Sequence, residues 1–220
     1  MNAPAFLTGF AAEARIVSRT GWPVEIGGGT TAGAVRAAQR LIEGGADAIV
    51  SFGLAGGLDP ALPAGTLIVA EGVISLGQIW RTDAALNARL GGTTGHLILG
   101  IDRIAGSAAE KLLLGHESGA AAADMESAAV VAVAEAAGVA FAVLRAICDP
   151  ADQDLPPAAM AGLDAAGRIA VWPLARSILG APGQIGALMG LARDAAAARR
   201  ALLDRVRKID PRGGDSETRS

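Results

Sequence analysis

Ala140-Phe-Ala-Val-Leu-Arg-Ala-Ile-Cys-Asp149-Pro-Ala-Asp152 is the most telling stretch of this chain. Residues 140–147 form an apolar run interrupted only by Arg145, and Pro150 stops it. A continuous run, rather than an alternating one, suits a strand covered on both faces. Three more runs of the same kind stand upstream: Ala48 to Phe52, Leu67 to Ala70 running on to Val73-Ile74, and His96 to Leu99. Helical patterns separate them. Thr30 or Thr31 caps a helix reaching about Glu43, with Ala34, Ala38, Leu41 and Ile42 on one face and Gly44-Gly45 as its stop. Met125 to Ala137 reads as another, ended by Gly138. Strands alternating with helices predict a single three-layer α/β domain.

That domain is expected to span residues 1–209 and to close on an amphipathic helix at about 188–209. Leu188, Leu191, Ala195, Leu202, Val206 and Ile209 make its apolar stripe, while Arg193, Arg199, Arg200, Arg205, Arg207 and Lys208 lie off it. Such a cationic face is either simply solvated or suited to peripheral contact with a membrane surface. Residues 210–220 are polar and are expected to be a disordered tail.

Composition removes several function classes. The chain has 220 residues, 51% of them hydrophobic, which is ample for a core and argues against disorder. A single Cys cannot form a disulfide within the chain. A net charge of −3, with three Trp, four Phe and no Tyr, leaves neither a basic groove nor a set of stacking rings for nucleic acid. His96 and His116 lack metal-ligand spacing, so no metal site is expected. The N-terminus has no basic segment followed by a long apolar one, so no signal peptide is expected and the cytoplasm is the default location. Mean hydropathy is +0.40, high for such a domain, from alanine-rich packing or from a greasy site.

Four segments have chemical potential. Phe52-Gly-Leu-Ala-Gly-Gly-Leu58 follows a strand and lets a ligand approach the backbone, or is only a tight turn. It lacks the dinucleotide and P-loop spacings. Asp124-Met-Glu126 opens an apolar helix, where acidic residues either complement the dipole or grip vicinal hydroxyls. Asp149 leaves the end of a buried strand, where ligands of open α/β sheets bind. There it is a turn-capping residue or a general acid tuned by burial. Gly27-Gly28-Gly29-Thr30-Thr31 precedes a helix and offers donors for an anion such as phosphate, or is a flexible turn with a cap.

In this order the segments resemble the purine nucleoside phosphorylase/nucleosidase superfamily. The likeness runs from Gly9-Phe-Ala-Ala-Glu13 through Gly53-Leu-Ala-Gly-Gly-Leu58 and Asp124-Met-Glu126 to Val143-Leu-Arg-Ala-Ile-Cys-Asp149-Pro-Ala-Asp152. It implies a mixed central sheet flanked by helices. The Gly-Gly-Gly-Thr-Thr-Ala-Gly33 loop and Trp80-Arg-Thr-Asp83 look most like the hopanoid-associated phosphorylase group. By that resemblance the substrate is adenosylhopane, a lipid nucleoside, which loses adenine. The alternatives are a methylthioadenosine/adenosylhomocysteine nucleosidase and a non-catalytic nucleoside-binding domain of the same fold.

The resemblance also implies roles. Asp149 is the acid at purine N7, and Glu13 orients or activates water. Glu126 binds the ribose hydroxyls, Met125 packs on the sugar, and Asp124 belongs to the same motif. Ala55 and Gly56 line ribose and base, and Ile104 falls near a position often occupied by Phe under the purine. No cofactor is implied, although phosphate as co-substrate would suit Gly28, Gly29 and Thr30, while Glu13 favours water. A homodimer is implied as well. Cys148 departs from a position that is commonly Ser in the family, which implies the loss of one hydrogen bond, either to the base or to Asp149.

Overall fold

Two ten-residue strands lie side by side at the centre of the molecule, and everything else is arranged about them. The computed structural model describes residues 4–157, 159, 183 and 185–209. Its strands are β1 (Ala5–Thr8), β2 (Val24–Ile26), β3 (Ala48–Gly57), β4 (Leu67–Val69), β5 (Gly72–Ser75), β6 (Gln78–Arg81), β7 (Leu97–Gly100), β8 (Ala122–Asp124) and β9 (Ala140–Asp149). Its helices are α1 (Ala11–Val17), α2 (Thr31–Glu43), α3 (Ala84–Arg89), α4 (Ala108–Ser118), α5 (Ser127–Ala137) and α6 (Ile185–Val206).

The sheet is mixed. β3 pairs in parallel with β1 and β9, then turns to antiparallel pairing with β8 at Gly56 and Gly57. Beyond β8 the order continues β7, β5, β6, and on the other side β1 is followed by β2. The run predicted as one strand from Leu67 to Ile74 is two. Ala70 N donates to Val143 O, whereas the next amide, Glu71 N, donates to His96 O. The chain therefore changes partners between them: β4 pairs with β9 and β5 with β7.

Both faces of the sheet are covered, as continuous apolar strands require. On one face Ile49, Val143 and Ile147 pack with Ala34, Ala37 and Ala38 of α2 and Ala129, Val130 and Ala134 of α5. On the other, Val50, Phe52, Ala142 and Leu144 pack with Val17 of α1, Leu86 of α3 and Ala198, Leu202 and Val206 of α6. This is the three-layer α/β domain expected. Three of the rings are structural: Phe6 stacks on Trp22 with centroids 5.1 Å apart and meets Phe52 edge-on at 5.6 Å.

Helix ends follow local chemistry. Thr30 caps α2 by accepting from Gly33 N. Helix α5 starts at Ser127 rather than Met125, because Asp124 Oδ1 takes the amides of Glu126 and Ser127 and holds residues 124–126 as a turn. Gly138, left-handed at φ +65°, ends it. The expected C-terminal helix begins earlier and ends at Val206, with Leu202, Val206 and Ile209 buried and the cations Arg193, Arg199, Arg200, Arg207 and Lys208 exposed. The tail expected at 210–220 lies outside the described residues. Among the described residues no helix is long and apolar enough to cross a membrane.

Candidate active site

Arg145 explains why a cation can sit inside an apolar strand. It is 1% exposed on β9, and its guanidinium meets carboxylates and hydroxyls. Its Nε stands 2.7 Å from Asp124 Oδ2, and its Nη2 stands 3.2 Å from Glu126 Oε2 and donates to Ser51 Oγ at 2.7 Å. Ser51 Oγ is 3.1 Å from Ser127 Oγ, which closes the network between β3, β9 and α5. A buried charge persists only when paired and hydrogen-bonded in this way.

Glu13 joins the same cluster from α1. Oε2 accepts from Phe10 N at 2.9 Å and Oε1 from Leu54 N at 3.0 Å. Gly9 and Gly53 make room for these carboxylates. A Cβ on Gly53 would come within 2.5 Å of Glu13 Oε1 and 2.7 Å of Arg145 Nη1, and one on Gly9 within 2.8 Å of Glu126 Oε1. Thus Gly9, Glu13, Gly53, Asp124, Glu126 and Arg145, far apart in sequence, meet at one place.

Asp149 stands at the end of β9. The ladder is irregular just before it: Ala55 faces Ile147, but Gly56 faces Asp149, leaving Cys148 as an extra residue. A bulge bends the strand and resets its alternation, which re-aims the next side chain. Asp149 Oδ2 lies 3.9 Å from a Cβ built on Gly56, while Glu13 Oε1 is held by Leu54 N two residues back. The two carboxyl groups thus flank a span of β3 about 7 Å long. Ala55, between them, is buried.

Burial acts on Glu13, Asp149 and Glu126 in the same direction. Burial pushes Glu13 above the usual carboxylate range, against the pull of Arg145 and its backbone donors. Burial likewise raises Asp149, opposed by Lys111. Glu126 is pushed up to about 7, first by burial and then by Asp124 and Glu13, with Arg145 opposing. The Cys148 thiol is pushed up to about 12 by burial and then by Asp149 and Glu13, so it is no nucleophile.

Glu126 therefore predicts its own pH dependence. Its folded value lies above the ordinary 4.5, so between about pH 4.5 and 7 the folded chain keeps a proton that the unfolded chain has lost. Stability from this group falls as pH rises through that window. Glu126→Gln removes the penalty, so the variant should melt several degrees above wild type at pH 8 and converge with it below pH 4.5. Thermal melts at both pH values check this; an equal difference at the two contradicts it.

The other expected site residues are placed as follows. Asp124 has Oδ1 on two amides and Oδ2 on Arg145 and the Ser127 hydroxyl, so its oxygens face protein donors. Met125 is half-buried beside it, and Ile104 is half-buried in the loop between β7 and α4. In the glycine loop, Gly28 N donates to Gly9 O at 2.9 Å and Gly33 N to Thr30 Oγ1 at 3.1 Å. Two amides near that loop are thus already engaged, while Gly29 is half-buried with φ +69°. A groove of about 630 Å³, lined by Glu71, Arg81, His96 and His116 among others, lies elsewhere and includes none of Glu13, Glu126 and Asp149.

Arg145, Ser51, Ser127 and Lys111 are functional neighbours that the sequence alone does not point to. An arginine inside an apolar strand run was the available signal, because it demands buried partners.

Comparison with known families and structures bears on the family and the fold. A model of the phosphorylase superfamily matches residues 5–94 and 93–169, well over half of the chain. The chain belongs to the phosphorylase superfamily. A search of curated proteins finds no match. Among solved structures, futalosine hydrolase of Helicobacter pylori is 18% identical with a TM-score of 0.69, covering 94% of this chain and 96% of its own. The 5′-methylthioadenosine/S-adenosylhomocysteine nucleosidase of Neisseria meningitidis, solved with methylthio-immucillin-A, is 17% identical with a TM-score of 0.69, covering 96% and 100%. Its Helicobacter pylori counterpart, solved with butyl-thio-DADMe-Immucillin-A, is 19% identical with a TM-score of 0.65, covering 95% and 99%. At these identities the likeness is one of fold, and it extends over nearly the whole length of each chain.

Proposed function

We propose that this phosphorylase-superfamily enzyme hydrolyses the N-glycosidic bond of an adenosyl nucleoside and releases adenine. Membership of the family carries the reaction class, N-glycosidic bond cleavage. The observation that carries the mechanism is the pair Glu13 and Asp149, two buried carboxyl groups with raised pKa on either side of Leu54 to Gly56.

The chemistry divides between them. As the C1′–N9 bond breaks, its electron pair moves into the purine and positive charge grows on the ribose. Asp149 gives its proton to N7, which neutralises the leaving group. Water adds to C1′ and passes a proton to Glu13, whose burial keeps it a competent base near neutrality. The nearby Glu126 carboxylate accepts from the ribose hydroxyls, with Met125 against the sugar and Ala55 and Gly56 along ribose and base. Anionic charge from Glu13 and Glu126 stabilises the oxocarbenium-like centre, an arrangement analogous to the carboxylate pair of glycosidases. Ile104 lies on the purine side in this reading. Water is favoured over phosphate because Glu13 is held by two amides, whereas amides of the glycine loop are already engaged.

For the 5′ substituent the best candidate is the hopane of adenosylhopane. Support comes from the glycine-loop resemblance and from α6, where Met189 is 53% exposed and the cationic face would lie near anionic lipid. The methylthioadenosine/adenosylhomocysteine reading is supported by the neighbouring structures. Homodimerisation is part of the proposal: Leu112 and Leu113 on α4 and Ile79 on β6 are exposed apolar surface that a second copy would cover. The test is adenine release from adenosylhopane, 5′-methylthioadenosine and S-adenosylhomocysteine side by side. Faster turnover of adenosylhopane supports the lipid reading, and turnover of the soluble pair alone replaces it with the second.

A further inference from the structure

Lys111 has no part in the chemistry above, yet it is 1% exposed. It sits in the second turn of α4, and an ammonium carries three N–H donors. All three have an acceptor here. Nζ lies 2.6 Å from Asp149 Oδ2, and donates to Pro150 O at 3.0 Å and to Gln153 O at 2.8 Å. One buried cation therefore grips the proposed acid and the two carbonyls of the loop that follows it. A lysine held by three acceptors and shielded from solvent is fixed in direction.

Other charged groups also act on Asp149. Asp194 on α6 pushes it upward, opposing Lys111. Cys148 adjoins it on β9, and Glu13 acts on that thiol from α1. Lys111 is thus the cation set against burial and Asp194 at this carboxyl group.

We infer that Lys111 is a positioning residue for Asp149: it fixes the direction of the carboxyl group and stabilises the carboxylate left when the proton departs. The inference rests on the cleavage reading. In the step itself the Asp149 O–H bond breaks, the N7–H bond forms, and the electron pair stays on Asp149 beside the ammonium. Lys111 keeps its own protons throughout. Charge at Lys111 makes Asp149 a stronger acid than burial alone would leave it.

The experiment compares wild type with Lys111→Met and Lys111→Gln, on an adenosyl nucleoside and on 4-nitrophenyl riboside. The second substrate has a leaving group that needs no proton. Without the lysine charge the acid stays protonated to higher pH, so the alkaline limb of kcat/KM should move up by about one pH unit or more. Cleavage of the nucleoside should fall by a larger factor than cleavage of the aryl riboside. Adding Lys111→Met to Asp149→Asn should slow the nucleoside reaction no further. An unmoved limb, or equal losses on both substrates, overturns the inference. Gln keeps a donor for the loop carbonyls if Met prevents folding. If both prevent it, Lys111→Arg should keep the limb at its wild-type position, and a displaced limb overturns the inference. A wild-type protein that releases no base from either substrate defeats the cleavage reading itself, whereas an active wild type with an unmoved limb defeats only the role of Lys111.

Discussion

Asp149→Asn should lower adenine release by about 10³-fold while leaving nucleoside binding within a few-fold of wild type. The amide has the shape of the carboxyl group and still accepts from Lys111, so loop and strand end should keep their places. What it lacks is a proton acidic enough to follow the breaking C–N bond. The loss should therefore appear in kcat rather than in KM, as for an interaction made only in the transition state. Single-turnover base release together with calorimetric binding separates the two. A variant that binds and cleaves like wild type would remove Asp149 from the reaction. If wild type and variant bind equally and neither cleaves, the chain is a nucleoside-binding domain.

Arg145→Met should be the most destabilising single change at the site. It leaves the carboxyl groups of Asp124, Glu126 and Glu13 buried around an apolar side chain. Removing one partner from a buried ionic network costs about 3–5 kcal/mol, which for a chain of this size lowers the melting temperature by about 10 °C. The sign with pH follows from the same groups. Without the cation the carboxyl groups of Glu126 and Glu13, already raised by burial, rise further, so the folded form holds protons the unfolded form has shed, and stability falls as pH rises. The deficit should be larger at pH 8 than at pH 5. Adding Glu126→Gln should recover part of it at pH 8 by removing one of the stranded charges. Denaturant titrations of the three proteins at the two pH values read this directly; a deficit independent of pH contradicts the network as described.

Much of this framework was legible in the residues. Long apolar runs gave β3 and β9, and Thr30, Gly44 and Gly138 gave helix ends, because those signals are local. The short strands β1, β2, β6 and β8 lack the Leu, Ile and Val runs that mark the equally short β4, β5 and β7, so no local pattern shows them. The break between β4 and β5 is a change of pairing partner, which no local pattern encodes. Asp149 could be placed at a strand end, but the bulge at Cys148 that aims it depends on the register with β3. Glu13 entered only through resemblance, since nothing in residues 9–13 says that α1 brings it to Leu54. Lys111 was invisible for a sharper reason. In Glu110-Lys-Leu-Leu-Leu114 the leucines promise the buried face, yet Leu112 and Leu113 are 41% and 56% exposed and the lysine is inside. Its ion pair with Asp149 joins α4 to the end of β9, and only the tertiary structure brings them together.

The central claim is that water, positioned by Glu13, replaces the purine that Asp149 protonates. Its most direct test is turnover of an adenosyl nucleoside in ¹⁸O-labelled water, with and without phosphate. The account predicts free adenine, one labelled oxygen at C1′ of the ribosyl product, and a rate unaffected by phosphate. An unlabelled ribosyl 1-phosphate formed only when phosphate is present would contradict it.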